Sequence, residues 1–426
     1  MVRKHLLSFC LIAGFYAVGV QSVNAQVTLA GQDNPGLDFH FLQMAMADGG
    51  TILLKGTFNL GDTGRVIITK DVKIIGEKDE KGAPVTKIKG GYWSLHSPLP
   101  PKLPPETPGP QVTIQNIHFD GALWAPIHLS YCSGATITNN KFTNLRPFPP
   151  YPIKPKTCYL MSGVLCGTYW AQNSSLRMQQ KYQSDAFTGE LIISDNEIDM
   201  ENPTPELTLG QGIFVQWTTG VKAKITNNKI FNCSRNSIET LDNSLDKDGN
   251  GIFTIQDNII TSSKIGVPVP SPRTPNGIVV GWFLDPTGLA DPKRNNKYMV
   301  MNNSVKVLGR TSMGIYVAGS DAVIKSNHIS TDGAEATALF LGASNCSVAE
   351  NKIEGSGKFG CVIGPLGKMA ARGNKLDGNI FSQFKAAVAD VMIQKGADEN
   401  TVTGDAGTLS DEGAGNKISG MKLLGK

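Results

Sequence analysis

What this sequence lacks narrows it first. There is no Cys-x-x-Cys pair and no cluster of histidine with cysteine, so a zinc framework is not expected. There is no dense run of lysine and arginine, and the formal net charge is only +4, so nothing marks a nucleic-acid partner. Helix-favouring stretches are scarce. Long apolar runs are scarcer: one, Leu6 to Val20, follows Arg3 and Lys4 and leads to Val23-Asn24-Ala25, and nothing like a second span comes after it. A basic head, a short apolar body and a small residue at the end read as an export signal rather than a membrane anchor. We expect a signal peptide over 1–25, no transmembrane span, and a mature chain from Gln26 that is secreted or periplasmic.

Turn-forming residues are plentiful, with 47 Gly and 24 Pro. Six cysteines follow the leader: Cys132, Cys158, Cys166, Cys233, Cys346 and Cys361. Export would permit disulfides, and Cys158 and Cys166 are near enough in sequence to close a small loop. Cys166 and Cys361 fall in strand-like stretches, so several cysteines are expected as small buried apolar residues.

The dominant feature is a recurring asparagine, at Asn116, Asn140, Asn196, Asn228, Asn258, Asn303, Asn327, Asn351 and Asn374. The intervals are 24, 56, 32, 30, 45, 24, 24 and 23 residues, so the longer ones read as the short unit plus insertions. A fixed period of this size means one supersecondary unit stacked on copies of itself. The segment MGIYVAGSDAVIKSNHI, from Met313, serves as a template: a strand, a short turn, a second strand, the asparagine and a third strand. Alternating apolar residues mark strands with one face inward. The predicted fold is all-β, a right-handed parallel β-helix with three short strands in each turn of about 24 residues. Asparagine tolerates the left-handed conformation a bend requires, and stacked amides bond one another. A helix over about 36–48 is expected to cap the N-terminal end of a single domain over 26–426. Nothing calls for an oligomer, so a monomer is expected.

At this point the chain resembles a family, the right-handed parallel β-helix proteins of the pectin-lyase-like superfamily. The residues that carry the resemblance are GGTILLKGTF, the strand VKIIGE and the repeated NNKI-type turn. It covers nearly the whole mature chain. It is specific for the fold and unspecific for the reaction, since the superfamily includes lyases, hydrolases, epimerases, tailspikes and surface proteins. The WIDH-like lyase motif, the Asp-Asp and RIK hydrolase signatures and the DPHD epimerase motif are all missing here.

The resemblance implies that a substrate groove runs along the first strand of each turn. Period-2 alternation then puts Ile127, Val164, Ile213, Ile238, Ile278 and Ile315 inward. His128, Leu165, Phe214, Gln216, Glu239, Tyr316 and Phe340 point outward. Insertions over 141–162, 168–189, 201–210, 262–276 and 284–297 fall beside this stripe. Inserted loops on one face of a rigid solenoid are where function concentrates. They carry aromatics and cations, among them Tyr151, Trp170, Arg177 and Arg273. Aromatic rings suit sugars, and arginine forks suit carboxylates or sulfates.

His128, Arg235, Glu239 and Tyr316 are the candidates for chemistry. Gln216, Trp217, Asp242, Trp282 and Phe340 are the candidates for substrate binding. A lyase needs a base to take the proton beside a uronate carboxylate and a positive charge to neutralise that carboxylate. A plain alternative for Arg235 and Glu239 is a surface ion pair. The stretch DKDGNGIFTIQD, from Asp246 to Asp257, has calcium-loop spacing. It must also supply a strand from Phe253, so a Ca2+ site would be partial, on Asp246, Asp248 and Asn250. The expected function is recognition of carbohydrate by a lyase-type enzyme acting on an acidic polysaccharide. The alternative is a non-catalytic glycan-binding, structural or adhesive surface protein.

Overall fold

The computed structural model describes residues 26–101, 105–153, 156–167, 186–202, 208–241, 251–262, 275–281, 296–367, 369–404 and 407–424, the side chains of 149–153 and 156–159 excepted. The expected signal peptide and most of the expected insertions therefore lie outside the described residues.

Strands follow one another around three columns. One turn comprises Met313–Ala318, Val323–Lys325 and His328–Asp332. The next begins with Thr337–Leu341, Ser347–Ala349 and Lys352–Ile363. Each strand pairs in parallel with its counterpart one turn on: Ile315 with Leu339, Ile324 with Val348, Ile329 with Ile353. Repeated along the chain, this register is a parallel β-helix. No helix among the described residues is long and apolar enough to cross a membrane.

The alternation sets the core. Ile127, Val164, Ile213, Ile238, Ile278 and Ile315 occupy one inward column, pair rung to rung and are fully buried. The N-terminal end is closed by the helix Pro35–Asp48, which buries Leu42, Ala45 and Met46. Asn34 caps it, accepting from the backbone N–H of Gly36 and Leu37. Asp38 fixes the helix to the first turn. Its buried carboxylate accepts from the backbone N–H of Gln32, Asn34 and Asn59.

The asparagine ladder is present, with its ends reassigned. In Asn140, Asn196, Asn228, Asn258, Asn303, Asn327 and Asn351, each backbone N–H and side-chain amide donates to the Oδ1 of the next ladder asparagine. The last of these steps runs from Asn351 to Asn379, not to Asn374. Asn374 belongs to a second ladder at another corner, with Asn400 and Asn416. Asn116 is no rung either. Ile117 fills that place and donates its N–H to Asn140. The left-handed residue is also not the ladder asparagine but the one before it: Asn139, Asp195, Asn227, Asp257, Asn302, Ser326 and Glu350 all have φ between 51° and 58°. Asn116, at φ 59°, is the first of that column.

Three further expectations meet the structure here. The proline-rich insertion is a β-hairpin rather than a loop, with Phe148–Ile153 antiparallel to Lys156–Gly167. Pro149, Pro150 and Pro152 lie on the first of these two strands, which among the described residues pairs on one side only. Cys132, Cys166, Cys233, Cys346 and Cys361 are free and buried, and burial raises each thiol above its usual range. The end of the calcium-like stretch is the strand Ile252–Gln256 followed by a bend at Asp257. Asp246, Asp248 and Asn250 lie outside the described residues.

Candidate functional site

In the first-strand column one outward position recurs from turn to turn. Parallel register aligns Ile67, His96, His128, Leu165, Phe214, Glu239, Val279, Tyr316 and Phe340. Rungs of a sheet lie about 4.8 Å apart. His128 therefore stands three rungs, about 14 Å, from Glu239, and Tyr316 two rungs, about 10 Å, on the other side. Gln216 occupies the next outward position along its strand, beside Leu241 of the following turn. Arg235 leads into the strand Asn236–Leu241, and its backbone ties together the turns on either side. Asp242 and Trp282 lie outside the described residues.

Outward does not mean open. His128 is 0% exposed and Glu239 3%, while Tyr316 and Phe340 are half-buried. Glu239 is held by carboxamides and not by a cation. Its Oε2 accepts from the side-chain amides of Gln211 and Asn236. Asn236 in turn accepts from Asn276, whose own Oδ1 accepts from Met313 N–H. This chain of amides crosses four neighbouring strands. Among the described residues no carboxylate pairs with Arg235, so the surface ion pair with Glu239 is not formed.

Two apolar platforms flank this polar saddle. Toward the N-terminus, Trp93, Trp124, Leu160, Leu165, Leu209 and Phe214 form one buried cluster, with Tyr92 and Phe148 packed on it. Trp93 and Trp124 reach it from left-handed backbone, φ 49° and 67°. That conformation costs energy for a bulky residue, so the ring positions are held by the surrounding packing. Toward the C-terminus, Trp217 packs with Ala318 and Met369, and Tyr316 and Leu366 lie against them. Tyr316 stacks on Phe340 with ring centroids 5.2 Å apart. Burial pushes the Tyr316 phenol up, so it keeps its proton at neutral pH.

His128 sits beneath the first platform. Its ring stacks on His96 at 4.7 Å and meets Trp93 edge-on at 4.3 Å. Its Nε2 bonds the Ser130 hydroxyl, and its buried Nδ1 has no hydrogen-bond partner. Burial holds His128 well below the ordinary imidazole range and brings His96 to about 4, so both rings are neutral at physiological pH.

Gln211, Asn236 and Asn276 were not singled out from the sequence. The available signal was an asparagine two residues before the inward isoleucine in both RNSIE and PNGIV. His96 was missed because the turns before Asn116 carry no ladder asparagine to align them. Once strands are in register, LHS at 95–97 and IHL at 127–129 match.

The remaining insertions lie outside the described residues. In chain order, segments 168–185, 242–250 and 282–295 follow first strands, and 203–207 and 263–274 precede them.

No family model matches the chain, and no curated protein matches it. The chain does align with solved structures along most of its length. The A-module of the mannuronan C-5 epimerase AlgE6 of Azotobacter vinelandii aligns over 91% of this chain and 95% of its own, at 13% identity and a TM-score of 0.45. The Dettilon tailspike protein aligns over 92% of this chain and 68% of its own, at 12% identity and TM-score 0.43. The periplasmic alginate epimerase AlgG aligns over 88% and 77%, at 10% identity and TM-score 0.25. The parallel β-helix assignment rests on the strand register of this chain itself.

Proposed function

We propose that the first-strand face binds a polysaccharide chain along the helix axis, and that the chain is an acidic one on which the protein acts as a lyase. The observation that supports this reading is the arrangement around Glu239: a carboxyl group on amide donors, set between two aromatic platforms, with an arginine of the same turn that no described acid neutralises. Flat aromatic surfaces beside amides and a carboxyl match the apolar faces and hydroxyl edges of sugars. In the elimination, Glu239 takes the proton beside a uronate carboxylate and Arg235 neutralises that carboxylate. Electrons from the broken C–H bond form the double bond as the glycosidic oxygen departs with a proton. Tyr316, which keeps its proton, is the donor candidate two rungs away. His128 is neutral and enclosed, so we assign it to holding the aromatic platform. Export through the segment 1–25 belongs to the same proposal.

The second reading, a non-catalytic glycan-binding protein, is favoured by the near-complete burial of Glu239. One experiment separates the two. Purified protein is incubated with uronate and sulfated polysaccharides, and the ultraviolet absorbance of unsaturated ends is followed. The lyase reading expects product from a uronate polymer. It also expects Glu239→Gln to lower kcat/KM by about 100-fold or more, the usual contribution of a positioned base. Retention on the glycan with no product would leave the binding reading alone standing.

A further inference from the structure

Among the described residues Arg65 has no acid partner, and its guanidinium is packed on two aromatic rings. Arg65 leads into the strand Val66–Ile67, the first in the first-strand column. Its guanidinium lies over the rings of Tyr92, at 4.2 Å, and Trp93, at 4.6 Å. Its Nε donates to the Tyr92 carbonyl at 3.3 Å. No described carboxylate pairs with it, and the nearby Asp62 is engaged by Arg146 at 2.8 Å. The groups beneath it add no negative charge. They are the neutral imidazoles of His96 and His128 and the indole of Trp93, whose buried N–H has no hydrogen-bond partner. Stacking and the Nε bond orient the guanidinium and leave its terminal N–H fork without a partner among the described residues. A fixed fork loses little freedom on meeting a flat or tetrahedral oxyanion. Tyr92 and Phe148, half-buried and 5.0 Å apart, present ring surface beside it.

We infer that Arg65, with Tyr92 and Phe148, forms a distal subsite that grips an anionic group on a sugar, carboxylate or sulfate, about 24 Å along the face from Glu239, five rungs at sheet spacing. The subsite rests on the proposed groove and deepens it. It selects chains long enough to reach from Arg65 to Glu239, and it rewards charge at the far end. Short fragments that cover Glu239 alone gain nothing from it.

The test uses the full chain and affinity electrophoresis through gels containing polygalacturonate, its methyl ester or a sulfated glycan. Arg65→Gln is the main variant, and Arg65→Lys keeps the charge but not the fork. Thermal melting confirms that both fold. The inference expects Arg65→Gln to weaken retention by about tenfold or more in the gel whose anion the subsite takes, the loss typical of a charge-assisted pair. Arg65→Lys should fall between, and retention on the methyl ester should not change. The carboxylate and sulfate gels tell the two anions apart. Equal retention of native and Arg65→Gln protein on both acidic polymers overturns the subsite and leaves the groove standing. Failure of the native protein to bind any acidic polymer overturns both.

Discussion

A single amide carries an unusual load in this molecule. Asn258 accepts at Oδ1 from both the backbone N–H and the side chain of Asn228, and its own amide reaches Ile225 O and Asn303. Asn258→Ala leaves several buried groups unpaired at once, each worth about 1–3 kcal/mol. The expected loss is about 3–5 kcal/mol in urea unfolding, and a loss below about 1 kcal/mol would show that the ladder bonds are dispensable. The buried histidines give a second residue-scale prediction. Below the ordinary value of 6.5 the unfolded chain binds a proton that folded His96 refuses until about 4. Stability from this group is therefore complete above pH 6.5 and falls as pH drops toward 4, by up to roughly 3 kcal/mol. His128, also lowered, adds in the same direction. His96→Gln should flatten the slope of unfolding free energy between pH 6.5 and 4, measured by denaturant titration at each pH, and an unchanged slope would contradict the burial argument.

Among the elements, strands were more legible than corners. Alternation placed Ile213 and Ile238 in the core and Phe214 and Glu239 on the other face, because period 2 leaves only two registers and one would turn the isoleucines out of the core. The ladder asparagine was recognised, but its left-handed neighbour was not. Sequence spacing cannot separate two adjacent polar residues in TITNNKF, whereas hydrogen-bond geometry can. Asn374 misled because ARGNKL imitates the ladder motif at a different corner, five residues ahead of the true rung Asn379. The amides around Glu239 were illegible for another reason: its partner Gln211, and Asn276 which bonds its other partner Asn236, come from other turns, and only strand register brings them near. The cap helix shows the same limit. Its location was readable, while the role of Asp38 was not, since its carboxylate bonds a backbone N–H 21 residues away at Asn59. Asp38→Ala should loosen the cap. Backbone N–H groups over 32–38 and Asn59 are expected to exchange with deuterium faster, while the core around Ile315 stays protected. Unchanged exchange at Asn59 would contradict the tie.

At the scale of the whole molecule, stacking turns a weak per-turn pattern into a long rigid face. Each turn contributes one outward side chain at a fixed rise, so the chain can set aromatic, amide and cationic groups in a line. We propose that a polysaccharide lies along that line, from Arg65 through the two aromatic platforms and Glu239 to Phe340. The most direct measurement is a crystal structure of the Glu239→Gln protein soaked with an acidic oligosaccharide. Sugar density is expected to run parallel to the helix axis over the first-strand face, with a ring beside residue 239. Density on either of the other two strand columns, with this face bare, would contradict it.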